Sequence, residues 1–446
     1  MIEIAVLVAF AAALFICVAL DWSLLVALLF GFCLFFGYGL FKKKTVSEMA
    51  GYALSGVKTV KNILLTFLLI GIITAFWRAC GTIPYIVYYA TCLCAPQVMV
   101  LVTFLMCSLI SFLTGTSFGT ASTMGIICVT MANSMGIPIL YSGGAVLAGA
   151  MFGDRCSPMS TSALLVSTLT KTDLYRNIKN MFSTAIVPFV ATCLFYGLLG
   201  LQTDAQTQTD NVNGIFEAHF NLHPVMLLPA VVIVVLSLCK INVRITMAVS
   251  IVISGIVALS VQKIPFTELL QTAVFGFSPQ DAELAQLLSG GGLLSMVNVS
   301  LIVCISASFS GMFAGTGLLS FLQELLVKCS QRTTTFCAVC LTAALTAIIA
   351  CNQTLAIMLT HQLCEQLEKD NEKLALTLED TSVVIAPLVP WSIAGAVPLT
   401  TVGAPMTCML TAVYLYFLPL WNLLLSFVQK KKQANKKTKI AENQSQ

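Results

Sequence analysis

Hydrophobic positions in this chain come in long unbroken blocks separated by short polar interruptions. Runs of about 17–25 apolar residues recur from end to end, each long enough as a helix to cross about 30 Å of hydrocarbon. A bilayer core holds no water for backbone N–H and C=O groups, so such runs must be helices unless they close a β-barrel. Barrel strands alternate apolar and polar residues over about ten positions. Val231–Leu238 and Leu64–Phe76 show no alternation. The pattern predicts an all-α polytopic membrane protein. Met1–Leu20 is expected to be a retained first helix, because Glu3 stands where a cleaved leader carries cations and a second apolar run begins at Trp22.

Two stretches repeat one order of features. In the first, a run from about Asn62 ends in Trp77-Arg78-Ala79-Cys80-Gly81-Thr82-Ile83-Pro84. A run from Val98 then stops at Thr114-Gly115-Thr116-Ser117, and a shorter piece leads to a break at Gly153–Ser162. In the second, a run from about Leu293 ends near Gly311–Gly317, another from Thr335 stops at Cys351-Asn352-Gln353-Thr354, and a broken run follows at Pro387–Pro398.

Short Lys/Arg-rich loops stay in the cytoplasm. Lys42, Lys43, Lys44, Lys58 and Lys61 therefore place a loop between Phe41 and Asn62 inside, with a tight turn at Asp21 outside. Lys171, Arg176 and Lys179 mark a second inside loop, and Lys240 with Arg244 a third. Gln202–His223 and Pro265–Gly290 carry acids without Lys or Arg and read as external. The run from Asn62 then leaves the cytoplasm while the run from Leu293 enters from outside. That is the arrangement of two inverted-topology repeats whose broken helices or re-entrant hairpins meet at a midplane site. The expected organisation is a helical hairpin and cytoplasmic loop over residues 1–61, a first transport repeat over 62–201, and external loops with two connecting helices over 202–290. An inverted second repeat over 291–428 and a basic cytoplasmic tail over 429–446 complete it.

Composition excludes a water-soluble fold: 58% of residues are hydrophobic and 9% charged, against about 25% charged in soluble domains. Much of the net charge of +4 lies in Lys430, Lys431, Lys432, Lys436, Lys437 and Lys439. Directly after a membrane helix, that cluster reads as an anchor to anionic lipid in the cell membrane, not as a nucleic-acid site. The 17 cysteines are scattered singly through apolar runs, and Cys337-x-x-Cys340 lacks the partner pairs of a metal site. With no nucleophile–base pair, phosphate loop or sizeable soluble domain, an enzyme is not expected and no cofactor is called for. The expected partners are lipid and a small ion or solute; a homodimer is left open.

Polar groups at membrane depth cost several kcal/mol when unsatisfied, so they face a protein interior or a watery cavity. The densest cluster is Gly153–Ser162. Glycine and proline free backbone carbonyls there, Ser157, Ser160 and Thr161 add hydroxyls, and Asp154 adds a carboxylate. This oxygen set suits a small hard cation. A carboxyl withdrawn from water holds its proton more tightly, so Asp154 could alternate between H+ and a metal ion. The competing reading is a structural pair with Arg155. Arg155 could also hold an anionic substrate group. Thr114, Thr116 and Ser117, with Asn352, Gln353 and Thr354 at the matching place, are further candidates for ion or substrate contact, or else helix–helix hydrogen bonders. Trp391 and Ser392 belong to the second broken segment, where Trp391 could simply pack.

These segments resemble a known family. Thr114–Pro138 (TGTSFGTASTMGIICVTMANSMGIP) and Phe152–Asp173 (FGDRCSPMSTSALLVSTLTKTD) look like the corresponding stretches of the NhaC family of sodium/proton antiporters, within the ion transporter superfamily. Gly291–Gly311, Cys351–Leu359 and Leu388–Pro405 fit the same family, and the likeness runs from roughly Asn62 to the last helix. It implies about eleven or twelve membrane helices and exchange of sodium against protons, with Asp154 matching the family's GD pair and Ser157-Pro158 its SP pair. The family motif GDKMSPLSDTT has a second acid after the SP pair, where this chain carries Thr161. A second expectation therefore stands beside Na+/H+ antiport: sodium- or proton-coupled transport of a small organic acid or amino acid.

Overall fold

A computed structural model describes residues 2–20, 22–93, 95–201, 209–239, 241, 243–281, 284–285, 288–318, 334–350 and 352–444. The expected turn residue Asp21, Lys240, the break residue Cys351 and residues 202–208 of the first external loop lie outside the described residues. Among those described, β pairing is limited to an isolated bridge between Phe277 and Gly290.

The apolar runs form helices, and the polar interruptions end them. The chain begins with α1 (Ile2–Ala19), α2 (Leu24–Phe41) and α3 (Val46–Thr59). The segment between Phe41 and Asn62, expected as a loop, is thus largely helical. Thr45 caps α3 in a capping box: its hydroxyl accepts from Glu48 N, and Thr45 N donates to the Glu48 carboxylate at 2.7 Å. The T-x-x-E spacing carries this signal, which a reading of charge alone passes over.

Next come α4 (Lys61–Ala79), α5 (Thr82–Leu93), α6 (Pro96–Thr114), the single turn α7 (Ser117–Thr120) and α8 (Ile126–Ser134). They are followed by α9 (Ile139–Cys156), α10 (Thr161–Thr170) and α11 (Leu174–Leu201). A connecting group holds α12 (Thr209–His219), α13 (Leu228–Leu238), α14 (Val243–Ser260) and α15 (Phe266–Phe275). The last part contains α16 (Val297–Thr316), α17 (Thr335–Ala350), α18 (Gln353–Cys364), α19 (Asn371–Asp380), the short α20 (Ser382–Ile385), α21 (Ile393–Thr401) and α22 (Tyr414–Gln444).

By length and composition, α6, α11 and Leu293–Thr316 can each cross a membrane, and two pairs bent by 46° (α3 with α4) and 54° (α19–α20 with α21) can do so jointly. Apolar helical stretches of 10–17 residues also lie in α1, α2, α10, α13, α14 and α17. Burial is inverted relative to a water-soluble protein. On α11, Ile186, Val190, Leu194 and Leu198 are 52–62% exposed at four-residue spacing, whereas Ala185, Thr192 and Tyr196 face inward. The buried polar side chains include Asp154, Arg155, Glu379 and Asp380. An apolar stripe outside and charge inside is what hydrocarbon solvent selects. The chain is an all-α polytopic membrane protein.

Two contacts position the site. α16 runs antiparallel to α3–α4: Gly292 N donates to Gly71 O at 2.7 Å, while farther along α16 Gly311 and Gly315 lie against Tyr52 of α3. α9 lies so close to α6 that a Cβ on Gly153 would sit 2.2 Å from Phe112 N. Ser111 Oγ donates to Ala150 O at 2.5 Å across the same seam.

Candidate functional site

Four helix breaks build the site. At the first, α6 ends in Gly115 (φ 67°), and Thr116 (φ −147°, ψ 124°) starts α7 with its hydroxyl accepting from Gly119 N. At the second, α9 gives way at Ser157 (φ −83°, ψ 136°), and Ser160 (φ −72°, ψ 136°) caps α10 by accepting from Ser162 N and Ala163 N. The third is Asn352 (φ −147°, ψ 129°), whose side-chain oxygen accepts from Thr354 N at 2.9 Å. The fourth runs from Val389 (φ −85°, ψ 120°) to Ser392 (φ −76°, ψ 132°), ahead of α21. The first matches the third in backbone conformation, and the second matches the fourth. Proline stands at the same place in the latter pair, as Pro158 and Pro390.

The breaks lie against one another. The left-handed conformation of Gly115 and its closeness to Met159, whose carbonyl carbon would be 2.4 Å from an added Cβ, admit no side chain. Gln353 Nε2 donates to Val383 O at 2.9 Å and ties the third break to α20.

A cavity of about 390 Å³ lies where the four meet. Its wall takes Thr114, Thr116 and Ser117 from the first break, Asp154 and Thr161 from the second, and Asn352, Gln353 and Thr354 from the third. Ile393 and Ala394 follow the fourth, with Thr66 of α4 and Arg244 of α14 completing the wall. Asp154 is the only acid among the described lining residues.

Its carboxylate is held loosely. Ser160 Oγ donates to Oδ1 at 3.3 Å and Ser162 Oγ to Oδ2 at 3.4 Å, longer than the usual O–H···O range of about 2.5–3.0 Å. Gln353 also faces this carboxyl. An acid that is 5% exposed yet weakly bonded keeps lone pairs for a further partner, and the neighbouring hydroxyl and amide oxygens could complete a coordination shell. Among the described residues no group of three or more His, Cys, Asp or Glu converges. The arrangement suits transient rather than permanent binding of a cation.

Five of the candidates named from sequence are not in this wall. Arg155 follows Asp154 on α9, about 100° further round the helix, and points away. Its guanidinium pairs with Asp380, donates to Thr184 Oγ1 at 2.9 Å and Met181 O at 3.3 Å, and through Nε reaches Glu379 O at 3.2 Å. Its ion partner is therefore Asp380 of α19, not Asp154. Ser157 Oγ accepts from Met159 N within the break, and Ser160 sits behind Asp154 as cap and donor. Trp391 is buried and anchors the fourth break by donating Nε1–H to Ile348 O at 2.9 Å. The Ser392 hydroxyl is buried without a hydrogen-bond partner.

Sequence reading passed over Glu379 and Asp380. They close a polar stretch, Glu365–Asp380, that resembles a solvated loop. The available signal was helical periodicity: Leu374, Ala375, Leu378 and Glu379 fall at i, i+1, i+4 and i+5, one face, and all are buried.

The sequence profile of the Na+/H+ antiporter family matches residues 1–173 and 149–428. The chain is 29% identical over 391 residues to the Na(+)/H(+) antiporter NhaC of Bacillus subtilis (strain 168), covering 84% of this chain and 86% of that protein. It is 27% identical over 385 residues to the Malate-2H(+)/Na(+)-lactate antiporter of the same strain, covering 84% and 81%. With the Na(+)/H(+) antiporter NhaC of Alkalihalophilus pseudofirmus it shares 26% over 417 residues, or 91% and 88%.

Proposed function

The chain belongs to the Na+/H+ antiporter family, and on that footing we propose that it is a secondary active Na+/H+ antiporter in which Asp154 takes up Na+ and H+ in turn. The observation that carries this reading is the convergence of four helix breaks on one cavity with a single acid, Asp154, among its described lining residues. One carboxylate neutralises one positive charge in a low-dielectric interior. Na+ and H+ therefore compete for Asp154, and competition for a group alternately open to either side couples the two fluxes. The hydroxyls of Thr114, Thr116 and Ser117 and the amides of Asn352 and Gln353 replace the hydration that Na+ loses on entry.

The matched break geometries and the antiparallel course of α16 against α3–α4 support two inverted repeats that rock about the cavity. The lysine cluster from Lys430 to Lys439 supports a cytoplasmic C-terminus.

In proteoliposomes, a sodium pulse is expected to move protons through the wild type and to move none through Asp154→Asn. A mutant that exchanges like wild type removes Asp154 from the mechanism. A wild type without any sodium response defeats the antiport assignment.

A second reading rests on Arg244 in the cavity wall. A guanidinium there suits a small carboxylate substrate, and one relative at 27% identity is a malate/lactate antiporter. Arg244 takes the anion-holding role in this reading, since Arg155 lies outside the cavity wall. Uptake of radiolabelled malate, lactate and amino acids separates the two readings, because only this one predicts competition by organic anions.

A further inference from the structure

Outside the cavity, the carboxyl of Glu379 is the feature that the mechanism at Asp154 leaves unused. Glu379 is fully buried, and neither Oε1 nor Oε2 has a hydrogen-bond partner. An ionised carboxylate in that position would give up its hydration without replacement, a loss of several kcal/mol. The neutral acid gives up far less.

The nearby cation is already engaged. Arg155 donates to the backbone carbonyl of Glu379 and pairs with Asp380 on the same helix. Asp154 and Cys156 approach from α9. Asp380, the next residue, lines a second cavity of about 650 Å³ that extends past Thr184 and Thr377 to the exposed side chains of Lys373 and Lys430. Water can therefore come within one residue of Glu379 through a cavity that Asp154 does not line.

We propose that Glu379 is a second proton-carrying site, separate from the cavity at Asp154 and coupled to it through Arg155. When the Glu379 O–H bond breaks, the proton passes to water in the second cavity and the carboxylate is left beside the Arg155 guanidinium. Arg155 then divides its charge between two carboxylates. Its repulsion of a cation at the adjacent Asp154 weakens, and Na+ binding there strengthens. Proton release at one site favours sodium uptake at the other, which is the sign antiport requires. The transport part of this inference rests on the antiport reading; the protonation part does not.

Two experiments on the full-length protein decide it. Infrared difference spectroscopy in H2O and D2O should show a carboxylic-acid C=O band that Glu379→Gln lacks and Glu379→Asp shifts. An unchanged band in both variants overturns the inference. The glutamine is a neutral isostere of the acid, so the variant is expected to fold. If it does not, the aspartate variant decides by the band shift alone. In proteoliposomes, Glu379→Gln should move fewer protons per sodium than wild type while retaining 22Na+/Na+ exchange, and Asp154→Asn should lose both. A Glu379→Gln protein that couples protons as wild type does overturns the inference. A wild type that moves no protons with sodium fails the antiport reading instead, and the infrared result still decides the state of Glu379.

Discussion

A methyl group at Gly153 is a direct probe of the seam that fixes Asp154. Built on the backbone, a Cβ there lies 2.2 Å from Phe112 N and 2.3 Å from both the carbonyl carbon and the Cβ of Ser111. Non-bonded carbon atoms settle about 3.5–4.0 Å apart, so α9 must retreat from α6 by about 1 Å or more. The wall is mostly backbone, and no side-chain rotation makes room. In an open helix Gly→Ala stabilises by about 0.5–1 kcal/mol, and overpacking a closed seam costs about 1–3 kcal/mol. The net expectation for Gly153→Ala is a loss of roughly 1–2 kcal/mol. Asp154 is the next residue and moves with the helix, and a displacement of about 1 Å in a positioned site lowers rates by up to about 100-fold. Gly51→Ala is the control, because a Cβ at Gly51 of α3 meets nothing within 4 Å. Thermal unfolding in detergent and sodium-driven proton movement should place Gly51→Ala at or above wild type and Gly153→Ala below it in both. A Gly153→Ala protein as stable and as fast as the control would refute the close packing of α6 on α9.

Arg155→Met strands Asp380 as a buried charge and should destabilise by about 3–5 kcal/mol, whereas Arg155→Met combined with Asp380→Leu should recover most of that loss in thermal unfolding. Failure of the double variant to recover would show that the pair does more than balance charge. Thr116→Ala and Asn352→Ala remove caps of matched conformation, each at about 1 kcal/mol. Both should also raise the KM for sodium, since both side chains line the cavity; an unchanged KM in both would remove them from the binding wall.

What could be read in advance follows from which constraints are local. Hydrocarbon demands helices, so long apolar runs announce them, and a proline or glycine beside hydroxyls announces a break. Gly115, Pro158, Asn352 and Pro390 all stand in or next to a break. The partners of those breaks are set by packing hundreds of residues apart in sequence, and here local patterns are silent. Nothing near Arg155 indicates that Asp380, 225 positions away, is its counter-charge. The adjacent Asp154 was the nearest acid in sequence and the wrong one in space. Glu379 was hidden for a related reason. Its helix begins among exposed charges at Asp370–Lys373 and ends in the interior, so an average over the segment resembles a solvated loop although its last turn does not.

The two charged layers need each other. Asp154 and Arg155 are consecutive on α9, and a bare guanidinium so near the cavity would repel any cation approaching Asp154. In the proposed mechanism Asp380 offsets part of that repulsion and so favours cation binding without lining the cavity. With Glu379 in its acid form, the group of Asp154, Arg155 and Asp380 carries one net negative charge, which a single Na+ or H+ at Asp154 cancels. Loss of the Glu379 proton adds a second negative charge beside Arg155. The interior then tolerates the deprotonated state only while a cation occupies Asp154, because leaving both negative charges uncompensated at this depth is the costliest arrangement open to the cluster. In the proposed mechanism, exchange and exclusion of leak thus arise from the same requirement, that the buried group stay close to neutral at every step.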